Sequence, residues 1–548
     1  MVPLENTFKN RWLWALLSQF ISSPFLFFLH RDFIFTHFYK PSSSFPRLTV
    51  VLAFSFLLSN LTLFISLIVL AFPEPFPSVY QRRFTKSITF VVFLLLCASS
   101  GILFVVSFCC GPKPFDKPEF LRLALRGFVF GTLFGVDYLH RKRWVLIFPV
   151  IQDPLVRSLI LGNPSSIRDT LKLSSSTYVI STVLMLFLPD LFKIKGTMWQ
   201  LLVQQIAIYL ETSVVSFYWD QTLHFFQVVS TRRFIFMPQQ ESAAPRTNPS
   251  EPLLAAIEQS TPRSIFQYCA YLDLCMISES NVETWRRAAF FEETGKTYRR
   301  VISVCLRPLE QLTSRLGEGL KGSPAENSDL LSQRLSSPMV NHADLRLHES
   351  FYDFQLCSWS ARTVASLTAR SRDEDRFRVA RFTGCNAAVV STLLSCLLAV
   401  EACLGKKTNP QSPHLLSPTN IWRATVDSGK RDFVCKKRES TWHEKAYGMA
   451  DVLGASICQI ISAFHDEMQK GAKAGILDKD WIIKSKPLHS TREILVHKLS
   501  LFLISKPTET VTYVDWIGAD LSGRVHLLKK SESITQHGWS PLFPRVGC

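Results

Sequence analysis

The sequence has no C-x-x-C pair, although it contains 13 cysteines among its 548 residues. Structural zinc sites usually depend on such pairs, so the cysteine spacing argues against a metal site. Several cysteines, including Cys396, Cys403 and Cys458, lie inside apolar helical patterns instead. We therefore expect reduced, buried thiols that face a reducing compartment.

Motifs of known catalytic chemistry are also missing, since no H-E-x-x-H, G-x-S-x-G or P-loop occurs. His443 lacks the second histidine of a zinc-protease motif, because Tyr447 stands in its place. The stretch Gly317–Gly322 reads G-x-G-x-x-G, but it follows a predicted helix, whereas a phosphate-binding loop follows a strand. This stretch therefore indicates a flexible helix end.

Asp220 and His224 are one helical turn apart and are the remaining candidate for a catalytic dyad or half a metal site. A single Asp-x-x-x-His beside a membrane exit is more typical of a structural pair. We therefore predict no enzymatic activity, no catalytic residues, no cofactor, no metal and no small-molecule substrate.

A basic face with interleaved aromatic residues, typical of nucleic-acid binders, is not found either. The formal charge is +17, with 22 Lys and Arg against 11 Asp and Glu in residues 1–237. The remaining residues carry 39 against 33. A basic excess between apolar segments suits lipid head groups and membrane topology, so we expect membrane lipids as partners and no direct nucleic acid.

Long apolar runs dominate the first half of a chain that is 47% hydrophobic and contains 43 Phe. A membrane-spanning helix needs roughly 20 mainly apolar residues. A signal peptide is disfavoured, because no small-x-small site follows the first run and Leu29 is followed by His30 and Arg31. We predict six transmembrane helices: Trp12–Leu29, Leu48–Phe72, Ser87–Cys110, Leu123–Leu139, Leu173–Leu191 and Trp199–Trp219.

The orientation of these spans follows from the Lys and Arg residues in their short loops. With a cytoplasmic N-terminus, the cytoplasmic loops hold 11 such residues and the opposite loops hold 8. The bias favours both termini on the cytoplasmic side. Glu211 and Asp137 lie within predicted spans, and such carboxylates first suggest a proton or substrate path. A small-molecule or ion transporter is therefore the alternative function, although no repeat relates the first three spans to the last three.

The second half is predicted to be a soluble, all-α region. Helical patterning begins near Leu253, with Pro262 in a first turn, and a helix runs from Trp285 to Leu316. The run Cys385–Leu404 is apolar enough for a seventh span or for a buried core helix. Residues 440–468 form an amphipathic helix whose stripe is Trp442, Ala446, Met449, Leu453, Ile457, Ile460 and Phe464.

The predicted organisation is thus that of a polytopic membrane protein with a helical C-terminal domain. Its parts are a six-span domain at 1–236, a proline-rich linker at 237–252, a helical segment at 253–316, a disordered loop at 317–345, a helical domain at 346–505 and a tail at 506–548.

The order of these parts resembles the transmembrane nucleoporins of the nuclear-division-cycle (Ndc) family, which anchor the nuclear pore complex in the pore membrane. The segment Trp219–Phe236 is similar to the family's exit from the last span. Leu254–Leu274 is similar to its first soluble helices, with Tyr268, Tyr271, Leu272, Asp273 and Leu274 at matching places. The likeness continues through Ser358–Val379, Cys385–Leu404 and 440–468, and it covers roughly residues 10–505.

The resemblance implies a structural nucleoporin with six spans and with both termini on the cytoplasmic or pore side of the nuclear envelope. It implies roles in pore assembly, and hence in the transport of protein and mRNA, and it implies inner-ring nucleoporins and aladin as partners. It also implies that Cys385–Leu404 stays outside the bilayer. The Phe-Gly dipeptides that begin at Phe130 and Phe134 lie in a predicted span, so the chain is not expected to be a barrier-forming FG nucleoporin. Residues 506–548 match nothing in the family.

Overall fold

The computed structural model describes residues 2–38, 46–70, 82–109, 117–146, 148, 155–187, 198–237, 248–321, 347, 349–405 and 441–504. Across these ranges all regular elements are helical, in agreement with the predicted all-α class. The helices are α1 Val2–Phe38, α2 Pro46–Leu70, α3 Arg82–Cys109, α4 Lys117–His140, α5 Leu155–Leu186, α6 Met198–Thr231, α7 Glu251–Gln259, α8 Ile265–Glu279, α9 Thr284–Ala288, α10 Lys296–Lys321, α11 Phe354–Glu374, α12 Val379–Phe382, α13 Cys385–Gly405, α14 Thr441–Lys473, α15 Leu477–Trp481 and α16 Arg492–Ile504.

Helices α1 to α6 lie at the six predicted spans and differ from them mainly at their ends. Phe56, Phe130 and Trp219 are buried at the centre of this half, whereas apolar side chains such as Ile21 and Phe187 are largely exposed. An apolar exterior on long helices is the surface that lipid tails would cover.

Five helices within the described ranges are long and apolar enough to cross a membrane. Three of these segments belong to α1, α2 and α3, and the other two belong to α13 and α14. Their ranges are Asn10–Leu29, Val50–Ile68, Ile88–Ser107, Cys385–Gly405 and Trp442–Lys473.

Helices α3 and α4 cross in close contact through glycines. Gly101 on α3 faces Gly127 and Gly131 on α4, backbone against backbone. A Cβ atom on Gly127 would lie 2.5 Å from the carbonyl oxygen of Gly101, and one on Gly131 would lie 2.7 Å from the carbonyl carbon of Cys97. Only glycine permits this approach, as is common where membrane helices pack closely.

The C-terminal half is a bundle with α13 at its centre, packed against α10, α11 and α14. The predicted stripe of α14 is confirmed, since all seven of its residues are buried. Core burial of an amphipathic face supplies most of the stability of such a helix. Phe236 and Phe148 belong to the same apolar core as this bundle, so the core runs from one half of the chain into the other.

Three local predictions were wrong. The helix expected from Trp285 to Leu316 is divided, because Gly295 adopts a positive φ of 66° and α10 begins only after it. Helix α10 then continues to Lys321 and includes the first five residues of the predicted disordered loop. Pro262 lies before α8 rather than in its first turn, since Ser264 caps that helix by accepting the amide of Gln267 at 3.2 Å. Most of the predicted linker, the rest of that loop and the tail at 506–548 lie outside the described residues.

The cysteines allow a first test of the packing of the C-terminal half. Nine cysteines have described side chains, all as free thiols, and eight of them are buried. Burial raises the pKa of the thiols of Cys269 and Cys275 to about 12. Because the thiolate is the reactive form, both should resist a maleimide reagent in the native protein and react after denaturation. Mass spectrometry of the labelled peptides measures this, with the exposed position Leu488→Cys as the reactive control. Rapid native labelling of Cys269 would contradict the packing of α8.

Candidate functional site

The chain leaves α6 in an extended segment, Arg232–Met237, that α1 holds in place. Arg11 on α1 donates hydrogen bonds of 2.8 Å to the carbonyl oxygens of both Arg232 and Arg233. The same guanidinium lies 4.9 Å from the centre of the Phe234 ring. The first helix therefore fixes the path of the chain at the point where it leaves α6.

Asp273, on α8, is the centre of this junction and is fully buried. One carboxylate oxygen accepts a hydrogen bond from Nε of Arg233 at 2.7 Å, and the other accepts one from Nη2 of Arg286 at 2.9 Å. The backbone amide of Phe236 adds a third donor at 3.1 Å. A buried carboxylate requires such partners, and here they come from the exit segment and from α9. Asp273 thus ties three segments together.

Glu283 completes the charge balance of the junction. It accepts two hydrogen bonds from Arg233, at 2.7 and 2.8 Å, and one from Arg286 at 2.9 Å. Burial raises the pKa of Glu283, but the hydrogen bonds from Arg233 and Arg286 outweigh it and hold that pKa below its usual value. We call Arg233, Asp273, Glu283 and Arg286 the exit network. The exit network contains two arginines and two carboxylates, so its charges balance and no net charge is left to bind an ionic substrate.

The titration of Glu283 gives a pH-dependent prediction. Its lowered pKa stabilises the folded state above the unfolded value of about 4.3, and this contribution is lost as the pH falls below that value. Glu283→Gln should therefore lose stability at pH 7 and show a weaker fall between pH 6 and pH 3 than the unaltered chain. Chemical unfolding in detergent at several pH values measures this. Glu293→Gln, at an exposed position on the following loop, is the control and should keep the original pH dependence.

A second contact, at Phe148 beyond the end of α4, joins helices α1 to α6 to the C-terminal bundle. The ring of Phe148 stacks on Tyr268 at 5.6 Å and meets the edge of Trp359 at the same distance. Gln355 donates a long hydrogen bond of 3.4 Å to the carbonyl oxygen of Phe148. Two separate connections, at Phe148 and at the exit network, limit rotation of the C-terminal bundle relative to helices α1 to α6.

Helix α11 forms ion pairs with α8 and α9, the two helices that carry Asp273 and Arg286 of the exit network. Arg362 donates to Glu279 at 2.7 Å, and Arg287, fully buried, donates to Glu374 at 2.7 Å. A cleft of about 290 Å³ opens beside Arg233 and is also lined by Glu279, Trp359 and Arg362. The cations on its wall are already bonded to carboxylates, an arrangement that favours a structural role over a catalytic one.

The two carboxylates predicted to lie within spans are Asp137 and Glu211. Asp137 pairs with Arg141 at 2.8 Å, and Arg143 bonds to Asp220 and lies 3.2 Å from Asp169. These charges form a cluster that ties the C-terminal end of α4 to interior positions on α5 and α6. Asp220 therefore takes part in an ion cluster, as expected for a structural residue beside a membrane exit. The side chain of Glu211 lies outside the described residues.

The glycine-rich stretch at Gly317 continues α10 as far as Lys321, so its described part is a helix and not a phosphate-binding loop. No group of three metal-ligating side chains occurs in the part of the chain that the structure describes. Sequence reasoning did not identify the exit network. The signal for it in the sequence was a single carboxylate, Asp273, in the otherwise uncharged first three turns of α8, with charged residues about ten positions later.

No protein-family model matches this chain, and no curated protein is significantly similar to it.

Proposed function

We propose that the chain is a structural membrane protein that anchors an assembly through a helical domain fixed rigidly to its membrane helices. The exit network carries this proposal. A buried carboxylate paired with one buried and one partly buried arginine contributes little net stability, but it specifies one arrangement of the segments it joins. An anchor needs such a fixed arrangement, because the assembly that it binds must be held at a defined position relative to the membrane. The charged residues at the junction are paired with one another and do not resemble a catalytic site.

We propose six spans, α1 to α6. Helices α4 to α6 contain charges, but Arg126 on α4 is buried and donates to Gln205 on α6 at 2.6 Å, as expected of a charge inside a helix bundle. The exposed side chains of these helices include Val136, Val179 and Ile206, which suit lipid.

We propose that α13 and α14 stay outside the bilayer despite their apolar composition. Helix α13 buries polar side chains such as Ser391 and Ser395 against its neighbours, and its Glu401 pairs with Lys498 at 2.9 Å. The outer face of α14 exposes Asp466 and Glu467, which lipid would not tolerate. Both helices then belong to a domain in water.

The resemblance to the nuclear-division-cycle nucleoporins supports a specific location, the pore membrane of the nuclear envelope. In this proposal both termini face the cytoplasmic or pore side. The C-terminal helices recruit inner-ring nucleoporins and aladin, and the protein supports pore assembly and thereby the transport of protein and mRNA. The protein acts as a scaffold without enzymatic activity. A fluorescently tagged full-length chain tests the location and should give punctate staining of the nuclear rim. Uniform reticular or plasma-membrane staining would reject the nuclear-pore assignment and leave only the general anchor.

A transporter remains the second candidate, and Glu211 within α6 is the observation that motivates it. Asp137 is less favourable for a transport path, because it is paired with Arg141. The scaffold proposal expects Glu211→Gln to leave the uptake or leakage of small solutes and ions unchanged in reconstituted vesicles. A reproducible change in flux would favour the transporter.

A further inference from the structure

The loop between α8 and α9 and the first turn of α9, which together we call the loop, present two large apolar side chains to the outside. Val282 is 86% exposed and Trp285 is 54% exposed. Helix α8 before the loop and the 3₁₀ turn Ala289–Phe291 after α9 are by contrast well packed. This exposure is therefore a local property of the loop.

The position of this loop is fixed by the exit network. Glu283 lies between the two exposed residues and holds Arg233 by two hydrogen bonds, at 2.7 and 2.8 Å. Arg233 is only two residues beyond Thr231, where α6 ends. Val282 and Trp285 are thus anchored beside the point where the chain leaves its last membrane helix.

The surroundings have the mixed character of a membrane interface. In the exit segment Phe234 is buried, whereas the neighbouring Ile235 is half exposed. Arg232 is exposed, and Arg370 donates to Asn281 of the loop at 2.7 Å. Apolar and aromatic side chains next to arginine are the combination that lipid head groups and the adjoining acyl chains accept.

We propose that Val282 and Trp285 insert into the interfacial layer of the bilayer that α1 to α6 cross. This inference rests on the proposed membrane anchor. Tryptophan favours this layer because its ring is amphipathic. The occupant of the surface is lipid, since the loop is bonded to the exit segment of a membrane helix. Together with the contact at Phe148, this insertion sets the tilt of the C-terminal bundle against the membrane.

Depth-dependent fluorescence quenching tests the insertion on the full-length chain. An environment-sensitive fluorophore is attached at Val282→Cys, and the protein is reconstituted into phosphatidylcholine–phosphatidylserine vesicles that contain spin-labelled lipids as quenchers. Two matched positions are labelled in the same way: Ile21→Cys, exposed on α1, and Leu488→Cys, which is as exposed as Trp285 but lies beyond α15. The unaltered chain, treated identically, gives the background from native cysteines.

Insertion predicts a blue-shifted emission and several-fold stronger quenching at Val282→Cys than at Leu488→Cys, most of it from quenchers near the head groups. Strong quenching at Ile21→Cys with none above the Leu488→Cys level at Val282→Cys would overturn the insertion and leave the anchor intact. Absence of quenching at Ile21→Cys as well would reject the membrane anchor itself, and the insertion with it.

Discussion

Asp273→Asn should destabilise the folded protein by about 3–5 kcal/mol, the cost typical of removing one partner from a buried ion pair. The substitution keeps the shape of the side chain but removes the charge that balances Arg233 and Arg286. Arg286 is itself buried, so its charge cannot turn to water without opening the junction. Thermal or chemical unfolding of the purified protein in detergent measures the loss.

The matched control for this prediction is Asp466→Asn, the same chemical change at an exposed position on α14. Surface substitutions of this kind usually change stability by less than about 0.5 kcal/mol. Asp273→Asn should also expose the exit segment to proteolysis, since the amide of Phe236 loses a charged acceptor. If the two variants were equally stable, the junction would not depend on the exit network.

Gly131→Ala should be the most damaging small substitution in the membrane half. The new methyl group would meet the backbone of Cys97 on α3, and a backbone cannot move aside as a side chain can. Overpacking a tight contact typically costs about 1–3 kcal/mol, and separating two helices along a backbone contact lies at the upper end of that range. Loss of thermal stability in detergent and a smaller retention volume on size exclusion, as expected for an expanded helix bundle, measure the effect.

The same substitution at Gly454 provides an internal comparison. Gly454 lies within α14, and a Cβ atom there would meet no atom within 4 Å. Alanine favours a helix over glycine by up to about 1 kcal/mol, so Gly454→Ala should be neutral or stabilising. Opposite signs for the two variants would support the glycine crossing, whereas a stable Gly131→Ala protein would show that α3 and α4 are further apart.

The sequence was most informative where one physical signal dominated. Helices α2 and α3 follow from uninterrupted apolar runs, and the buried face of α14 follows from apolar residues at steps of three and four. Such patterns depend only on residues of one element, so periodicity and length suffice to place them.

Features that depend on two distant segments could not be predicted in this way. In the sequence, nothing distinguishes Gly101 and Gly131 from other glycines within helices, because their contact forms only when α3 and α4 pack together. Asp273 finds Arg233 forty residues earlier and Arg286 thirteen residues later, and no local pattern pairs them. The break at Gly295 was missed for a simpler reason, because a glycine between two helical patterns can be tolerated within one helix.

The most direct test of the anchor is proximity labelling in living cells from a labelling enzyme fused to the C-terminus of the full-length chain. It reports on which side of the membrane the C-terminal domain lies and which proteins surround it. We expect labelled inner-ring nucleoporins and aladin, with lumenal proteins at background level. A labelled set dominated by lumenal proteins, or one without nucleoporins, would contradict it.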